Sequence, residues 1–277
     1  MSRTEPTNFA LALSDFLFHY LPDQRGLSQN TIASYSDALS QFLLFCENEV
    51  NIRRERITVN HLSLSMVERF LDWLENEIHC SISTRNQRHA AINSFFRYLQ
   101  YKNPGHIALF QQISAIPRKK SAVKAVEHLS IEAVKALIKM PNINTVYGKR
   151  DFLLLLLMYE SAARVSEIAN LKISDIRFDR HGTVVHIIGK GSKPRIVPLI
   201  DSAAEYLKNY ISSEKKRRQC SNEELLFCNH SGQPITRAGI SYILKKHSDA
   251  ARLENPDLFP EKNTSPYYKA QSCYALA

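Results

Sequence analysis

The strongest constraint on the fold is a run of five leucines, Leu153 to Leu157, inside the helical pattern of residues 150–162. A helix that is apolar on every side must be buried, because none of its faces can be left in water. The longest apolar stretch, Phe152 to Tyr159, is far too short to cross a bilayer. The sequence therefore predicts a globular domain in which other elements pack around this helix.

Residues 8–101 show helical periodicity throughout, with few signals for strands. Apolar side chains recur at three- and four-residue spacing in four successive segments, and together these predict a small helical bundle. The segments are a first helix from Phe9 to Tyr20 that breaks at Pro22 and Gly26, a second capped by Ser28, a third from Ser65 to Ile78 and a fourth from Ser83 to Leu99.

The second half of the chain mixes helices with a short stretch of strand pattern. Ser130 is placed to cap a helix that reaches Met140, ahead of the leucine-rich helix. The period then changes from 3.6 to 2, which predicts three short antiparallel strands. Their expected bounds are Ile176 to Phe178, Thr183 to Ile188 and Arg195 to Leu199, and helices resume from Ser202 to Tyr210 and from Arg237 to Ala251.

The length of 277 residues suits two ordinary domains, each with its own core. We predict a mainly α fold: a helical bundle at 1–101, a basic linker at 102–127, and an α-rich domain at 128–277 with a small three-stranded antiparallel sheet. The linker has two prolines, five Lys or Arg residues and little periodicity. It is either an ordinary solvated connector or one placed to cross a phosphate backbone.

Charge favours a polyanionic partner. Lys and Arg number 36 against 27 Asp and Glu, which gives a net charge of +9. Many proteins are mildly basic without binding an anion, so this excess is weak evidence by itself. The five cysteines are odd in number and widely spaced, which fits a reducing cytoplasm. The N-terminal residues show no apolar core behind a basic start, so no secretory signal is expected.

Two stretches carry residues suited to phosphate chemistry. In the first, residues 161–171, Arg164 follows the apolar helix, so its guanidinium either faces a cleft or is paired with Glu167 or Asp175 in a structural ion pair. In the second, residues 189–199, a tight hairpin with glycines at 189 and 191 projects Lys190. A lysine there can contact a phosphate or protonate a leaving oxygen, although a solvated basic hairpin is the plainer interpretation.

Together, and in this order, the two stretches resemble the tyrosine recombinases, the phage-integrase family. The first resembles that family's box G-x-R-x-S-E-x-x-x-L, except that Ala162 stands at the usual glycine. The second matches every fixed position of the box G-K-G-x-K-x-R-x-V-P-L. The resemblance extends from about Asn8 to Pro266. Residues 26–35 are similar to the family's opening helix junction, and residues 83–86 to its later DNA-facing helix start.

The resemblance implies a SAM-like, core-binding helical domain at 1–101 that clamps DNA and a catalytic domain at 128–277. It implies that Arg164 clamps the phosphate and that Lys190 is the general acid. Contacts with DNA are expected from Lys193, Arg195, Arg85, Asn86, Thr31, Lys119 and Lys120.

The family's reaction implies further expectations. A tyrosine hydroxyl attacks a DNA phosphodiester, and the energy is kept in a 3′-phosphotyrosyl bond, so neither a metal nor another cofactor is implied. The expected partners are double-stranded DNA and other recombinase protomers, because the family acts as a tetramer on two duplexes. We expect a cytoplasmic, nucleoid-associated protein encoded by a mobile element.

The last residues depart from the family pattern. The family has H-x-x-R and a further histidine after a Ser-Pro pair, with the nucleophilic tyrosine a few dozen residues later. Here Ser265 and Pro266 are followed by Tyr-Tyr-Lys-Ala, so the second arginine is missing. Tyr267, Tyr268 and Tyr274 lie where that box belongs, which makes them poor candidates for the nucleophile.

Codon degeneracy suggests how the box was lost. Codons for residues 266–276 exist whose frame one base downstream spells His-Ile-Ile-Arg-His, with the whole box in its expected position. We therefore expect that Tyr267 to Ala277 is an out-of-frame tail and that the chain is truncated and inactive in cleavage. Loss of the following helices should also expose the apolar face of residues 152–158.

Two other functions fit the same sequence. The chain can be a non-catalytic DNA-binding protein that occupies or regulates recombination sites. It can also be a purely structural helical protein whose motif matches are accidental. Site binding without a covalent DNA adduct would favour the first alternative. The second would be favoured if DNA binding is lost in a way that does not depend on Arg164, on Lys190 or on salt.

Overall fold

The computed structural model describes residues 5–121, 129–189, 191, 193–218, 221 and 223–259. The chain divides into two compact units, residues 1–124 and 125–277. The structure confirms the mainly α class with one small antiparallel sheet. Within the described ranges, no helix combines the length and apolar composition that a bilayer span requires.

The first unit is a helical bundle whose starts are set by small hydroxyl residues. The side chains of Thr7, Ser28, Ser63 and Ser81 each accept a hydrogen bond from the backbone N–H three residues later, which satisfies a donor that the helix cannot pair. The helices are α1 (Asn8–Asp15), α2 (Gln29–Glu49), α3 (Leu64–Asn76), α4 (Ile82–Lys102) and α5 (Ile107–Ser114).

Aromatic rings fill the core of this unit. Phe42 packs edge-on against Phe70 with 5.2 Å between ring centroids, and Phe9 packs in the same way against Phe95 at 5.5 Å. Such edge-to-face pairs add about 1 kcal/mol each beyond the area that they bury. The predicted apolar faces of the four helices therefore do meet in one core.

Pro22 does not break the first helix where the sequence predicts. A π-helix, Phe16–Gln24, continues directly from α1 and contains Pro22. A proline removes one backbone donor and crowds the carbonyl four residues earlier, and the wider π turn relieves both demands. The chain turns two residues after its end, at Gly26, whose φ of +56° suits glycine.

The expected basic linker also differs from the structure. Residues 107–114, inside the predicted linker, form α5, and its Phe110 and Ile113 are fully buried in the first core. Two apolar side chains three residues apart are enough to hold this short helix once a bundle is present to receive them. Residues 122–128 lie outside the described ranges.

The second unit surrounds the leucine-rich helix. Its helices are α6 (Ile131–Lys139), α7 (Val146–Ser161), α8 (Val165–Ala169), α9 (Asp201–Arg218) and α10 (Arg237–Glu254). Its strands are β1 (Ile176–Asp179), β2 (Gly182–Ile188) and β3 (Pro194–Leu199), in the order β1-β2-β3 and antiparallel throughout. In the register, Val185 lies opposite both Ile176 and Val197.

Helix α7 is the buried centre of this unit. Leu153, Leu154 and Leu157 are almost inaccessible to solvent, because α6, α8, α9 and β3 all pack around the helix. The expectation that residues 152–158 would present an exposed apolar face is therefore wrong. Only Phe152 and Leu156 are half-buried there.

A buried ionic cluster fixes α10 to α7. The Asp151 carboxylate lies 3.0 Å from Nε2 of His247 and accepts hydrogen bonds from Arg150 at 3.0 and 2.7 Å. Burial alone would raise the pKa of Asp151, but the bonds from His247 and Arg150 outweigh it and hold that pKa below its ordinary value. The cluster keeps α7 in place, and the candidate site begins where α7 ends.

Candidate phosphate-binding site

The end of α7 sets the position of Arg164. Ala162 follows the last helical residue in the left-handed conformation, with φ of 58° and ψ of 26°. This conformation costs a residue with a Cβ roughly 1 kcal/mol and favours glycine, which is the residue that the resembling box has at this place. The turn reverses the chain so that Arg164 becomes the N-cap of the short helix α8.

One largely buried carboxylate organises the site. The Glu167 side chain is only 6% exposed, and it accepts hydrogen bonds from Nη1 of Arg164 at 2.8 Å and from Nη2 of Arg195 at 2.7 Å. It also accepts the backbone N–H of Arg164 at 3.0 Å. Residues from the α7–α8 turn and from β3 thus meet on one acceptor.

The β2–β3 hairpin closes beside this carboxylate. The N–H of Gly189 donates to the carbonyl of Lys193 at 2.8 Å. A Cβ at position 189 would lie 3.3 Å from the carbonyl oxygen of Lys193, which is tighter than ordinary contact, so glycine favours this closure. The same Cβ would be in ordinary contact with Arg195 and Glu167, at 3.4 Å from Nη1 and 3.5 Å from Oε1, so position 189 lies beside the ion pair. Lys190, the predicted general acid, is the next residue in the chain and lies outside the described residues; Lys193 is exposed.

Glu167 remains ionised at neutral pH. Burial alone would raise its pKa, but the hydrogen bonds from Arg195 and Arg164 outweigh burial and hold the pKa below its ordinary value of 4.5. A negative charge therefore holds both guanidinium groups in place. Of the alternatives for Arg164, the pair with Glu167 is the one formed, whereas Asp175 accepts the backbone N–H of Lys172.

Both arginines keep donors available for an anion. The Arg164 side chain is 47% exposed and that of Arg195 is 34% exposed. Within the described residues, no acceptor is bonded to Nε or Nη2 of Arg164. Arginine donors in a fixed fork match the oxygens of a phosphate, so the arrangement can clamp a phosphodiester oxygen.

The predicted DNA-contacting residues of the first unit fall into two kinds. Arg85 is buried, with its side chain 8% exposed in an ion pair with Glu75, so its guanidinium is turned away from solvent. Asn86, Lys119 and Lys120 are at the surface of this unit. Thr31 is half-buried in the first turn of α2, where its hydroxyl lies 3.0 Å from Oγ of the capping Ser28.

Glu75 is a residue beside the predicted DNA contacts that the sequence did not single out. It binds Arg85 and Lys119 together, although it lies ten and 44 residues from them in the chain. A single glutamate on an amphipathic helix has no sequence signal that distinguishes it from a solvated one. Glu167 did have such a signal, because an acid three residues after an N-cap typically reaches back to the capping residue.

The comparisons with known proteins fit this geometry. Residues 127–263 match the phage integrase family, and residues 15–103 match the N-terminal SAM-like domain of phage integrases. The chain belongs to the phage integrase family of tyrosine recombinases. In the described ranges, no three His, Cys, Asp or Glu side chains lie close enough together to hold a metal ion.

Individual relatives extend over most of the chain. A putative integrase/recombinase y4rC of Sinorhizobium fredii is 34% identical over 255 residues, covering 92% of this chain and 75% of that protein. The tyrosine recombinase XerD of Listeria monocytogenes is 31% identical over 247 residues, covering 88% of this chain and 79% of the relative. The fold is similar to that of XerH recombinase bound to difH substrate, with a TM-score of 0.65 at 22% identity over 90% of this chain and 68% of that one.

We predict that replacing Glu167 with Gln lowers the free energy of unfolding at pH 7 by about 1–2 kcal/mol, because charge-assisted hydrogen bonds are exchanged for weaker neutral ones. The folded pKa of Glu167 is depressed, so its stabilisation is fully present above the unfolded pKa and is lost as the pH falls through the folded pKa. The difference between wild type and variant should therefore shrink below about pH 4.5.

Denaturant unfolding at pH 7 and at acid pH measures this difference. Glu205→Gln is the matched control, because Glu205 is exposed on α9 and has no ion pair among the described residues. Equal stability of the two variants at pH 7 would show that Glu167 does not hold the arginines.

Proposed function

We propose that this chain binds duplex DNA and that its gene encodes a site-specific recombinase or integrase of a mobile element. The observation that carries the proposal is the pair of arginines, Arg164 and Arg195, held by Glu167 beside the hairpin that carries Lys190. The first unit would clamp DNA and the second would contain the catalytic residues. A chain bound to DNA would be associated with the nucleoid.

Proteins of the same fold support the choice of partners. XerH bound to its difH substrate and a lambda integrase tetramer bound to a Holliday junction have crystal structures with TM-scores of 0.65 and 0.63 to this chain. We infer the same classes of partner for this chain, double-stranded DNA and further recombinase protomers. The proposed contacts with DNA are Thr31, Asn86, Lys119, Lys120, Lys193 and Arg195. Arg85 is buried against Glu75, so it is not proposed as a direct contact.

The proposed chemistry is transfer of a phosphoryl group to a tyrosine. The tyrosine hydroxyl gives up its proton to solvent as its oxygen forms a bond to phosphorus, the bond from phosphorus to the 5′ oxygen breaks, and Lys190 gives a proton to that leaving oxygen. Arg164 donates to the non-bridging oxygens, where negative charge increases in the transition state. The phosphodiester energy is kept in the new 3′-phosphotyrosyl bond, so the scheme needs no metal or nucleotide cofactor.

We further propose that this chain is inactive in strand cleavage. The residues that follow Pro266 do not supply the family's second arginine, and Tyr267, Tyr268 and Tyr274 occupy the place of that box. Residues 260–277 lie outside the described ranges. An out-of-frame tail after Pro266 accounts for the change.

We predict that the coding DNA, sequenced for a few hundred bases past the codon for Ala277, contains a frame that continues from H-x-x-R-H to a downstream tyrosine. Restoring that frame should produce a covalent protein–DNA adduct on a denaturing gel, and the present chain should produce none. Codons that cannot encode the box in the shifted frame would overturn the proposal, as would an adduct formed by the present chain.

A second candidate function is occupancy or regulation of recombination sites without cleavage. The observation in its favour is that the cations of both units are held in place although the histidine–arginine box is missing. This function requires DNA binding and no nucleophile. A codon sequence without the shifted frame would favour it over the remnant of an active enzyme.

We predict that the logarithm of the binding constant for duplex DNA falls linearly with the logarithm of the salt concentration, because phosphate contacts release counterions. Lys120→Gln should reduce the slope by about 1, since exposed Lys120 is placed to meet one phosphate. Lys102→Gln is the matched control: Lys102 pairs with Asp15 at 3.2 Å and lies about 24 Å along α4 from Asn86.

Fluorescence anisotropy with a labelled duplex at several salt concentrations measures both slopes. A wild-type affinity that does not depend on salt would contradict the proposal. A slope that falls equally in both variants would contradict a specific phosphate contact at Lys120, the residue that follows the Lys119 bonded to Asn86.

A further inference from the structure

Glu75, at the end of α3, holds two cations of different kinds. Its Oε1 lies 2.6 Å from Nε of the buried Arg85, and the N–H is not aligned for a hydrogen bond, so this attraction is mainly coulombic. Nζ of Lys119 lies 2.8 and 2.7 Å from the two oxygens. The carboxylate itself is 20% exposed and the Lys119 side chain 52% exposed.

The backbone of Lys119 is fixed independently of this ion pair. The Asn86 amide donates to the carbonyl of Lys119 at 2.8 Å and accepts the N–H of Lys119 at 3.2 Å. These two bonds tie the chain after α5 to the second turn of α4. The ammonium group is therefore kept near the start of α4, whichever anion it meets.

The surroundings of Lys119 favour an anion. Helix α4 has 21 residues, begins after Ser81 and has no acidic residue in its first turn, so its positive end lacks an acidic side chain of its own. Asn86 and Lys119 add a donor and a charge to the same surface. In the described structure, the anion that meets this lysine is the carboxylate of Glu75.

The two ion pairs of Glu75 differ in how easily they exchange. The contact with Arg85 is shielded from water, and breaking it would leave a buried guanidinium without its partner. The contact with Lys119 is half exposed, and exposed pairs contribute little to stability. A phosphate oxygen can therefore displace Glu75 from Lys119 while Glu75 remains bound to Arg85.

We propose that Lys119 is a binding site for one DNA phosphodiester and that Glu75 occupies this site in the DNA-free protein, so Glu75 weakens DNA binding. The inference rests on the proposed DNA-binding function and adds a regulating residue to it. Each encounter with DNA exchanges one carboxylate for one phosphate at the ammonium group. Removing the carboxylate makes that lysine available without the exchange.

The test compares two charge removals on the same helix end. Glu75→Gln should tighten binding of a labelled mixed-sequence duplex about threefold, the factor expected for loss of one exposed competing ion pair. It should also make the salt slope steeper by up to about 0.9. Glu77→Gln is the matched control, because Glu77 is exposed two residues away and has no ion pair among the described residues.

A cycle with Lys119→Gln decides whether the gain passes through this lysine. The gain from Glu75→Gln should disappear in the Lys119→Gln background. An equal gain from Glu75→Gln and Glu77→Gln would overturn the inference, because net charge alone would then explain it. A gain that persists without Lys119 would overturn it as well.

Arg85 loses its partner in Glu75→Gln, so this variant can lose its fold. A second comparison, Arg85→Met against Arg85→Met with Glu75→Gln, replaces the buried cation by an apolar side chain of similar length and keeps Lys119. The same threefold gain is expected there, and its absence would contradict the inference. If wild type binds no duplex even at low salt, the proposed DNA-binding function fails; if it binds but neither pair of variants shows the gain, only the role of Glu75 fails.

Discussion

The interaction on which the site depends is the charge-assisted pairing of two arginines with one buried carboxylate. Burial raises the pKa of Glu167, and the hydrogen bonds donated by Arg195 and Arg164 outweigh burial and keep that pKa below its ordinary value. In return, the carboxylate fixes two flexible side chains from separate elements. Preorganised cations of this kind stabilise developing phosphoryl charge without reorganising during the reaction.

Much of the fold follows from local sequence rules. Ser28 and Ser130 begin helices as predicted, because each supplies an acceptor to an otherwise unpaired N–H, and the change to period 2 locates all three strands. Helix α5 was missed, since its two core residues have meaning only against a bundle already formed. The same reason explains why the π-helix around Pro22 was not predicted: its residues Phe16 and Leu21 are buried in the bundle core, which the local sequence does not show.

The sequence predicted the residues of the site that belong to a local sequence motif. Arg164 and Glu167 are three residues apart, and Arg195 belongs to a recognisable hairpin, so the sequence suggested each of them. Their convergence on one acceptor is a tertiary fact. In the first unit, burial of Arg85 by Glu75 is likewise tertiary, and a motif that implied surface contact could not reveal it.

The most direct test of the account is the salt dependence of duplex binding by Arg164→Gln, compared with Arg180→Gln. Arg180 is exposed in the β1–β2 turn, about 20 Å along β2 from the hairpin that contains Gly189. The account predicts that Arg164→Gln weakens binding and reduces the salt slope by about 1, because one phosphate contact is lost, while Arg180→Gln leaves the slope unchanged. A wild-type slope in Arg164→Gln would contradict the claim that the arginine held by Glu167 clamps a DNA phosphate.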